Sequence, residues 1–266
     1  MDLAGIGPSY AGVALVILFV AIALAEQSRP AWRPAVSAGR RWTTNLILYA
    51  CCEGLNLVLL PVIAAVAGAC SGLAPHLARP EDPGGAMLHA VFTVLGLDLA
   101  YYLLHRLFHC SGVLWRLHAV HHSDFDLDVT STVRHHPLEI LPMVVVSAGF
   151  GACIGATAGE IAGYGVLAFG VQLLAHANLR LPHRLGAVLG VFLVLPDFHR
   201  LHHSQDGRHR NANYGEVFTI WDHLFRSACR ASPGDFGPFG LGDFMQPRSQ
   251  QVGSLLLQPL NLGSRE

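Results

Sequence analysis

The stretch His118-Ala119-Val120-His121-His122 decides how the rest of the chain is interpreted. Its HxxHH spacing returns at His199-Arg200-Leu201-His202-His203, and an HxxxH pair, His105 and His109, precedes both. In an α-helix, residues at i, i+3 and i+4 lie on one face, so each box directs its imidazoles the same way. Eight imidazoles exceed what one metal ion binds. The spacing therefore predicts a site for two metal ions.

A single HxxHH box is a weak signal, because a histidine on a helix is usually a polar residue with a hydrogen-bond partner. The chain has 16 histidines, however, and half of them fall into the three boxes. Three unrelated solvated histidine patches would leave the repeated spacing unexplained. The repetition is what favours a metal site.

The composition is that of a membrane protein. Of 266 residues, 52% are hydrophobic and only 13% are charged, whereas soluble domains carry about 25% charged residues. The net charge of -1 gives no indication of nucleic-acid binding. Every basic residue is arginine, which suggests a GC-rich, bacterial genome. The six cysteines form no CxxC pair and read as small apolar residues.

Hydropathy predicts an all-α integral membrane protein with about four transmembrane helices and a cytoplasmic helical cap that holds a histidine-rich dimetal site. The apolar stretches are 8–25, 44–70, 87–104, 138–158 and 160–176. The first is expected to be a retained helix rather than a cleaved signal peptide. A further apolar stretch, 185–196, is too short to span and is expected to be buried or interfacial.

Charge predicts the orientation. The loop after the first apolar stretch carries Arg29, Arg33, Arg40 and Arg41, which places it in the cytoplasm. Counting four membrane spans, the three boxes and His176 all fall on the cytoplasmic side, the side of this arginine-rich loop. The predicted division is a transmembrane hairpin with loops at 1–86, a catalytic region at 87–230 and an irregular tail at 231–266.

Several motifs around the boxes extend the pattern. They are, in chain order, Asp98, His105-Arg106, His109, Leu114-Trp115, His118, His121-His122-Ser123, Arg134-His135-His136-Pro137-Leu138-Glu139, His176, Asn178, His199-Arg200, His202-His203-Ser204, Asn213-Tyr214-Gly215 and Trp221-Asp222. Together they resemble the fatty acid hydroxylase/sterol desaturase superfamily over roughly residues 90–226. The resemblance implies membrane enzymes with a cytoplasm-facing di-iron site that oxidise lipids with O2.

The resemblance also implies a ligand set and some neighbours. The metal ligands it implies are His105, His109, His118, His121, His122, His176, His199, His202 and His203. His136 matches the histidine of an R-x-H-P motif, as a ligand or as a neighbour of one; His135 holds a variable position. Asp98, Asn178 and Asp222 are the other candidates for orienting ligands. Asp98 either accepts a hydrogen bond from the N–H of a ligand imidazole and orients it, or pairs with a nearby arginine.

The implied cofactors are two iron ions, and zinc can replace them in purified protein because all-imidazole sites accept it. No cytochrome b5 domain is visible, so we expect a separate redox partner: a ferredoxin, a cytochrome b5-like protein or a reductase. The other partners are O2 and a membrane lipid, with no nucleic acid. The expected location is a bacterial inner membrane, with the active site facing the cytoplasm.

The predicted function is an O2-dependent di-iron oxygenase that hydroxylates a C–H bond of a membrane lipid of fatty acyl, sterol or isoprenoid type. A desaturase would use the same metal chemistry and stays open. From a different class, a membrane metal-binding or transport protein would need polar groups along the spans, where only Glu53 and Asp98 are clear acids. A metalloprotease is disfavoured because the chain has no HExxH motif.

Overall fold

The regular structure of the protein is helical. The computed structural model describes residues 8–73, 82–230 and 237–261, and within them no strand occurs. The α-helices of these ranges are α1 Pro8–Ser28, α2 Ala38–Leu73, α3 Pro83–Cys110, α4 Gly112–His122, α5 Ile140–Ile154, α6 Ala158–Ala175, α7 His183–Leu189, α8 Pro196–His202, α9 Gly207–Arg210, α10 Ile220–Leu224 and α11 Val252–Asn261. The predicted all-α class is confirmed.

Five of the described helical segments are long and apolar enough to cross a membrane, which identifies the chain as an integral membrane protein. They are Tyr10–Ser28, Ala38–Ala65, Pro83–Cys110, Pro137–Ile154 and Ala158–Ala175. The number of candidates is one more than the predicted four or so. Both Pro137–Ile154 and Ala158–Ala175 reach 18 residues, close to the shortest length that spans.

Local sequence explains where helices start and stop. Asp82 caps α3, since its carboxylate accepts a hydrogen bond from Gly85 N at 2.8 Å and Pro83 occupies the first helical position. Gly155 ends α5 with a left-handed φ of 70°, a conformation that costs glycine little. A Cβ at Gly96 would collide with the Phe150 ring, so this glycine allows α5 to approach α3 closely.

The described residues fall into two compact units. The first takes residues from the ranges 1–43, 124–132 and 165–245, and the second from 44–123, 133–164 and 246–266. Both units are therefore discontinuous in sequence. The predicted division at 86/87 and 230/231 follows the chain and stays a prediction.

The first unit is built around the segment 124–132. Its buried apolar cluster consists of Ile22, Ala23, Val129, Leu173 and Ala177. This cluster brings residues of α1 and α6 against a segment from the middle of the chain. The position of 124–132 is therefore fixed by burial as well as by polar contacts.

Buried charges also hold the segment 124–132. Arg41 donates to the Asp128 carboxylate from Nε at 3.0 Å and from Nη2 at 2.6 Å, and Trp42 Nε1 donates to the same oxygen. Glu26 of α1 accepts a hydrogen bond from Val129 N at 2.9 Å. Buried charges are tolerated only when they are paired in this way.

In the second unit, Arg134 bonds to three separate parts of the chain. Its buried guanidinium donates to Val120 O at 3.0 Å, Asn45 Oδ1 at 3.1 Å, Ser123 Oγ at 3.0 Å and Gln250 Oε1 at 2.7 Å. A planar guanidinium can satisfy so many acceptors at once, whereas an ammonium cannot match this geometry. Arg134 thus fixes the C-terminal end of α4, which carries the second box.

The prediction that residues 231–266 form an irregular tail is wrong for the described residues 252–261, which are helical. Residues 252–261 form α11, which packs against α4, and 3₁₀ turns occupy Gly242–Phe244 and Pro247–Gln250. Leu255 is fully buried with Leu48 and Val120. The segment is helical because its leucines find an apolar surface, an effect that composition did not reveal. Residues 231–236 of the predicted tail fall outside the described ranges.

We predict that Arg134→Lys destabilises the protein. Lysine leaves some of the four buried acceptors without a donor, so the expected loss is about 3 kcal/mol, or roughly 5–10 °C in the thermal midpoint. The measurement is thermal unfolding of the purified protein in detergent. Arg208→Lys is the control, because Arg208 is exposed and pairs with Asp206 at the surface. An equal loss in both variants would contradict the role of Arg134.

Candidate metal centre

All three histidine boxes are helical, as their spacing predicted. His105 and His109 lie at the C-terminal end of α3, the second box ends α4, and the third lies on α8 with His203 capping its end. All eight rings are buried except that of His109, which is half-buried. Buried histidines concentrated at helix ends need polar partners, because desolvation of an imidazole without one is costly.

In the second unit, four imidazoles come together between α3 and α4. His105, His109, His118 and His122 each offer a ring nitrogen, and these four atoms lie within 4.8 Å of one another. His105 Nε2 and His118 Nε2 are 3.1 Å apart. The α3 and α4 boxes therefore form one cluster.

In the first unit, three imidazoles form a similar group. His176, which follows α6, places its Nε2 3.0 Å from His199 Nε2, and His203 Nε2 is 3.1 Å from the same atom. The structure thus brings the additional histidine, His176, together with the third box.

Four of the rings are oriented through their second nitrogen. The acceptors of these Nδ1 atoms are Glu139 Oε1 for His118 at 2.7 Å, Arg134 O for His121 at 3.2 Å, Gln172 O for His176 at 3.0 Å and Ala212 O for His202 at 2.7 Å. Carboxylate and carbonyl oxygens only accept, so Nδ1 carries the proton in each ring. The lone pair is then at Nε2, the atom that a metal would bind.

The two clusters fit metal ions. Metal–imidazole bonds of about 2.0–2.1 Å place two nitrogens of one ion roughly 3 Å apart when the bonds are near right angles. The Nε2 separations of 3.0–3.1 Å have this size. Ligand histidines in metalloproteins also donate their other N–H to a carboxylate or carbonyl, as these do. The donor set is all nitrogen, which suits iron, zinc, copper and nickel.

Glu139 is a site residue to which the sequence reasoning gave no role. Its fully buried carboxylate bonds His118 Nδ1 at 2.7 Å and lies 3.2 Å from His135 Nδ1. His135 in turn stacks on His121 with ring centroids 4.6 Å apart. The signal was present in the motif Arg134–Glu139, since a carboxylate near clustered histidines commonly orients one of them.

Two of the predicted neighbours lie in the second unit. Asp98 is fully buried on α3 and accepts a hydrogen bond from Tyr164 Oη at 3.1 Å. His136 Nδ1 accepts a hydrogen bond from Leu138 N at 3.2 Å. Its Nε2 lies 3.2 Å from Leu256 O, to which it is hydrogen-bonded. Burial lowers the pKa of His136 below its ordinary value, which favours the neutral ring. These bonds give His136 a structural role in attaching α11.

The other two predicted neighbours lie in the first unit, and each braces a loop. Asn178 exchanges hydrogen bonds with the backbone of Trp32, accepting at 3.1 Å and donating at 3.0 Å. Asp222 accepts from Tyr214 N, Gly215 N and Ser227 Oγ at 2.7–2.9 Å. Burial raises the pKa of Asp222 above its ordinary value, while these hydrogen bonds oppose the rise.

Arg200, inside the third box, fixes the loop that follows His176. Its guanidinium donates to Ala177 O at 2.6 Å and to Leu179 O, and it lies over the Trp32 ring at 4.3 Å. Burial lowers the pKa of Arg200 to about 10, so it stays charged at neutral pH. The side chain therefore links α8 to the chain around His176.

Comparison of the sequence with known proteins shows the family to which the chain belongs. A family model described as fatty acid hydroxylase matches residues 90–227, more than half of the chain. The matched range contains all three boxes, His176 and Glu139. No solved structure shows significant similarity to the chain.

Curated relatives are lipid-oxidising enzymes by name. An ornithine lipid hydroxylase of Rhizobium tropici is 35% identical over 170 residues, 59% of this chain and 50% of the relative. The alkylglycerol monooxygenase of Caenorhabditis elegans is 28% identical, covering 52% of this chain and 26% of the relative. That of Homo sapiens is 29% identical, covering 49% and 28%. The chain thus matches half or less of the length of these relatives.

We predict that Glu139→Gln weakens metal binding. The amide keeps the size of the side chain but loses the negative charge that holds the Nδ1 proton of His118. The expected effect is a roughly tenfold lower metal affinity, the lower limit of the roughly 10–100-fold loss seen when a partner of a ligand histidine is replaced. Glu139→Ala should lose more. Competition with a chelator, followed by elemental analysis, measures the affinity.

The matched control is Glu160→Gln. Glu160 is also a helix carboxylate of the second unit bonded to a histidine, but its partner is His89, which belongs to no box. Its replacement should leave metal affinity unchanged. If both variants lose the metal equally, Glu139 acts only through general stability.

Proposed function

Because the chain belongs to the fatty acid hydroxylase family, we propose that it is an O2-dependent di-iron oxygenase that hydroxylates a C–H bond of a membrane lipid. The observation that carries the proposal is the pair of buried imidazole clusters in a chain rich in membrane-spanning helices. In each cluster, Nε2 atoms are 3.0–3.1 Å apart. Such nitrogen-rich sites bind redox metals in contact with apolar surroundings.

We propose nine ligands for two iron ions: His105, His109, His118, His121, His122, His176, His199, His202 and His203. Bound iron would supply the reduction of O2 that C–H oxidation requires, and zinc can take its place in purified protein. The residues around the ligands hold the rings. The Glu139 carboxylate and the backbone oxygens of Arg134, Gln172 and Ala212 retain the Nδ1 protons of His118, His121, His176 and His202, so that the Nε2 atoms of these rings stay available.

Aromatic rings cover part of each cluster. The Trp115 ring lies 5.0 Å from that of His109 and 5.3 Å from that of His122, and Phe108 stacks on His118 at 5.1 Å. In the first unit, Tyr214 meets His202 edge-on at 5.6 Å. A site from which bulk water is excluded protects reactive intermediates from side reactions.

The proposed substrate is a lipid with a long alkyl or acyl chain, among the fatty acyl, sterol and isoprenoid classes. The names of the relatives support it, since they act on an ornithine lipid and on alkylglycerols. Electrons would come from a separate donor, of ferredoxin, cytochrome b5-like or reductase type. We propose a bacterial inner-membrane location with the clusters on the cytoplasmic side. Arg29 and Arg33 between α1 and α2, and Arg40 and Arg41 in the first turn of α2, support this orientation.

We predict that His121→Ala abolishes turnover. Removing this ring takes away a proposed ligand as well as the bond to Arg134 O, so activity should fall by more than the roughly 10–100-fold cost of losing an orienting partner. Purified protein would receive iron, a reductant, O2 and a lipid extract. The wild-type product should be heavier by one oxygen atom; a product lighter by two hydrogens would mean desaturation. Elemental analysis of the iron-loaded wild type should give two ions per chain.

The control for this experiment is His209→Ala. His209 is a half-buried histidine of α9, outside the boxes. Its replacement should leave both metal content and product formation intact. Full activity in His121→Ala would remove the second box from the site, and one iron per chain would contradict the dimetal proposal.

The proposed orientation predicts opposite labelling at the two ends of α3. Gly84, near its start, is exposed, and so is Val113, at the start of α4. In a background without other cysteines, Val113→Cys should react with a thiol reagent only when the cytoplasmic face is accessible. Gly84→Cys should react in intact cells. Labelling of both from one side would show that α3 does not cross the membrane.

A further inference from the structure

A cleft of about 820 Å³ lies in the first unit, between α7, the start of α8 and the segment that follows α10. Its walls are mainly small or apolar and include Gly186, Val191 and Phe198. None of the nine histidines proposed as metal ligands is among the described residues that line it. The cleft is therefore separate from the imidazole clusters.

One part of the lining is polar and rich in N–H donors. It consists of His183, His223, Arg230 and Asp197. The charge of Asp197 is already opposed within the protein, because its Oδ1 accepts a hydrogen bond from Arg200 Nη1 at 3.1 Å. The Arg230 guanidinium is exposed, and the two imidazoles are also exposed. This end of the cleft favours an anionic group that several N–H donors can bind.

The cleft borders an exposed apolar surface. Val188 is 64% exposed and Phe192 is 65% exposed, and Leu224 of α10 is similarly open. Thr219 N donates to Phe192 O at 3.0 Å, which brings the start of α10 next to the segment after α7. Several large apolar side chains exposed in one region favour a contact with a membrane or another molecule.

The length of this element indicates how it meets a membrane. α7 has 7 residues, far fewer than the roughly 20 that a spanning helix needs. Short amphipathic elements with apolar and basic residues lie in the headgroup layer instead. Arg184, on α7, is exposed beside the apolar residues. Residues 185–196 were expected to be buried or interfacial, and the exposure of Val188 and Phe192 favours the interfacial alternative.

We propose that the cleft binds one anionic phospholipid, with an acyl chain along Gly186, Val191 and Phe198 and the phosphate at Arg230. The volume falls within the roughly 300–1,000 Å³ of sites that enclose most of a ligand. A soluble anion would use the polar end but leave the apolar walls exposed to water. A phospholipid can place its phosphate at the polar end and its acyl chain along the apolar walls. The exposed apolar residues beside the cleft would let it enter from the headgroup layer of the membrane.

This proposal goes beyond the proposed oxygenase function, since it concerns a second lipid site. Pro196, Asp197 and Phe198 line the cleft and immediately precede His199 on α8. A bound lipid would therefore contact the first turn of the helix that carries the third box. Binding and turnover can be measured separately.

The test is photo-crosslinking of the full chain, purified in detergent. The probes are phosphatidylglycerol and phosphatidylcholine, each with a diazirine in one acyl chain, and labelled peptides are mapped by mass spectrometry. We expect phosphatidylglycerol to label peptides from 181–198 or 223–230. Phosphatidylcholine should label them less, and millimolar inorganic phosphate should not displace the anionic probe. Equal labelling by both lipids would overturn the anionic assignment, and displacement by phosphate would overturn the lipid assignment.

Variants of the lining locate the site. Gly186→Phe should abolish the cleft labelling because the ring fills the space, whereas Gly186→Ala should retain it. A Cβ at Gly186 meets only Leu181 Cβ at 3.9 Å, so alanine fits without a clash. Arg230→Gln should lower phosphatidylglycerol labelling roughly two- to fivefold, the size typical of one exposed ion pair.

Metal content and thermal midpoint serve as folding checks for each variant. Ala187→Phe, at an exposed lining position of the same helix, tests the same point if Gly186→Phe expresses poorly. Undiminished cleft labelling in a folded Phe variant would overturn the proposal. Because the readout is binding, a failure here leaves the oxygenase proposal standing, and absence of turnover leaves this one standing.

Discussion

An imidazole can present one nitrogen to a metal reliably only if a proton acceptor holds the other. In this protein the acceptors are a carboxylate for His118 and backbone carbonyls for His121, His176 and His202. Most of the surrounding architecture serves to place those acceptors. The backbone carbonyl of Gln172 is available because α6 ends directly before His176. The backbone oxygen of Arg134 is held in place because the guanidinium of the same residue bonds to four acceptors. The rigidity of the site thus depends on residues that would never touch a metal.

The helical fold and the histidine boxes could be predicted from sequence because they obey short periodicities. Hydropathy identifies spans residue by residue, and HxxHH places its rings on one face of any helix. Glu139 was missed because its partner His118 lies 21 positions away, beyond any local pattern. The helix α11 was missed for the same reason: Leu255 becomes core only against Leu48 and Val120.

The candidate neighbours show a further limit of sequence reasoning. Asn178 and Asp222 were recognised as residues of interest, and the structure gives both of them backbone partners, at Trp32 and at Tyr214 and Gly215. Polar residues near a site can be required for the loops that carry it rather than for chemistry. A polar residue that holds a loop and one that takes part in chemistry can have the same residue type and the same place in the sequence. Only their hydrogen-bond partners distinguish them.

The attachment of α11 has a consequence for how the protein matures. Gln250 completes the acceptors of Arg134, and Leu255 covers Val120 on the helix that carries the second box. Ribosomes deliver these residues more than a hundred positions after α4. The four-histidine cluster between α3 and α4 therefore reaches its final packing only after Gln250 and Leu255 have been synthesised. A metal bound by this cluster would accordingly be enclosed fully only once α11 has packed against α4.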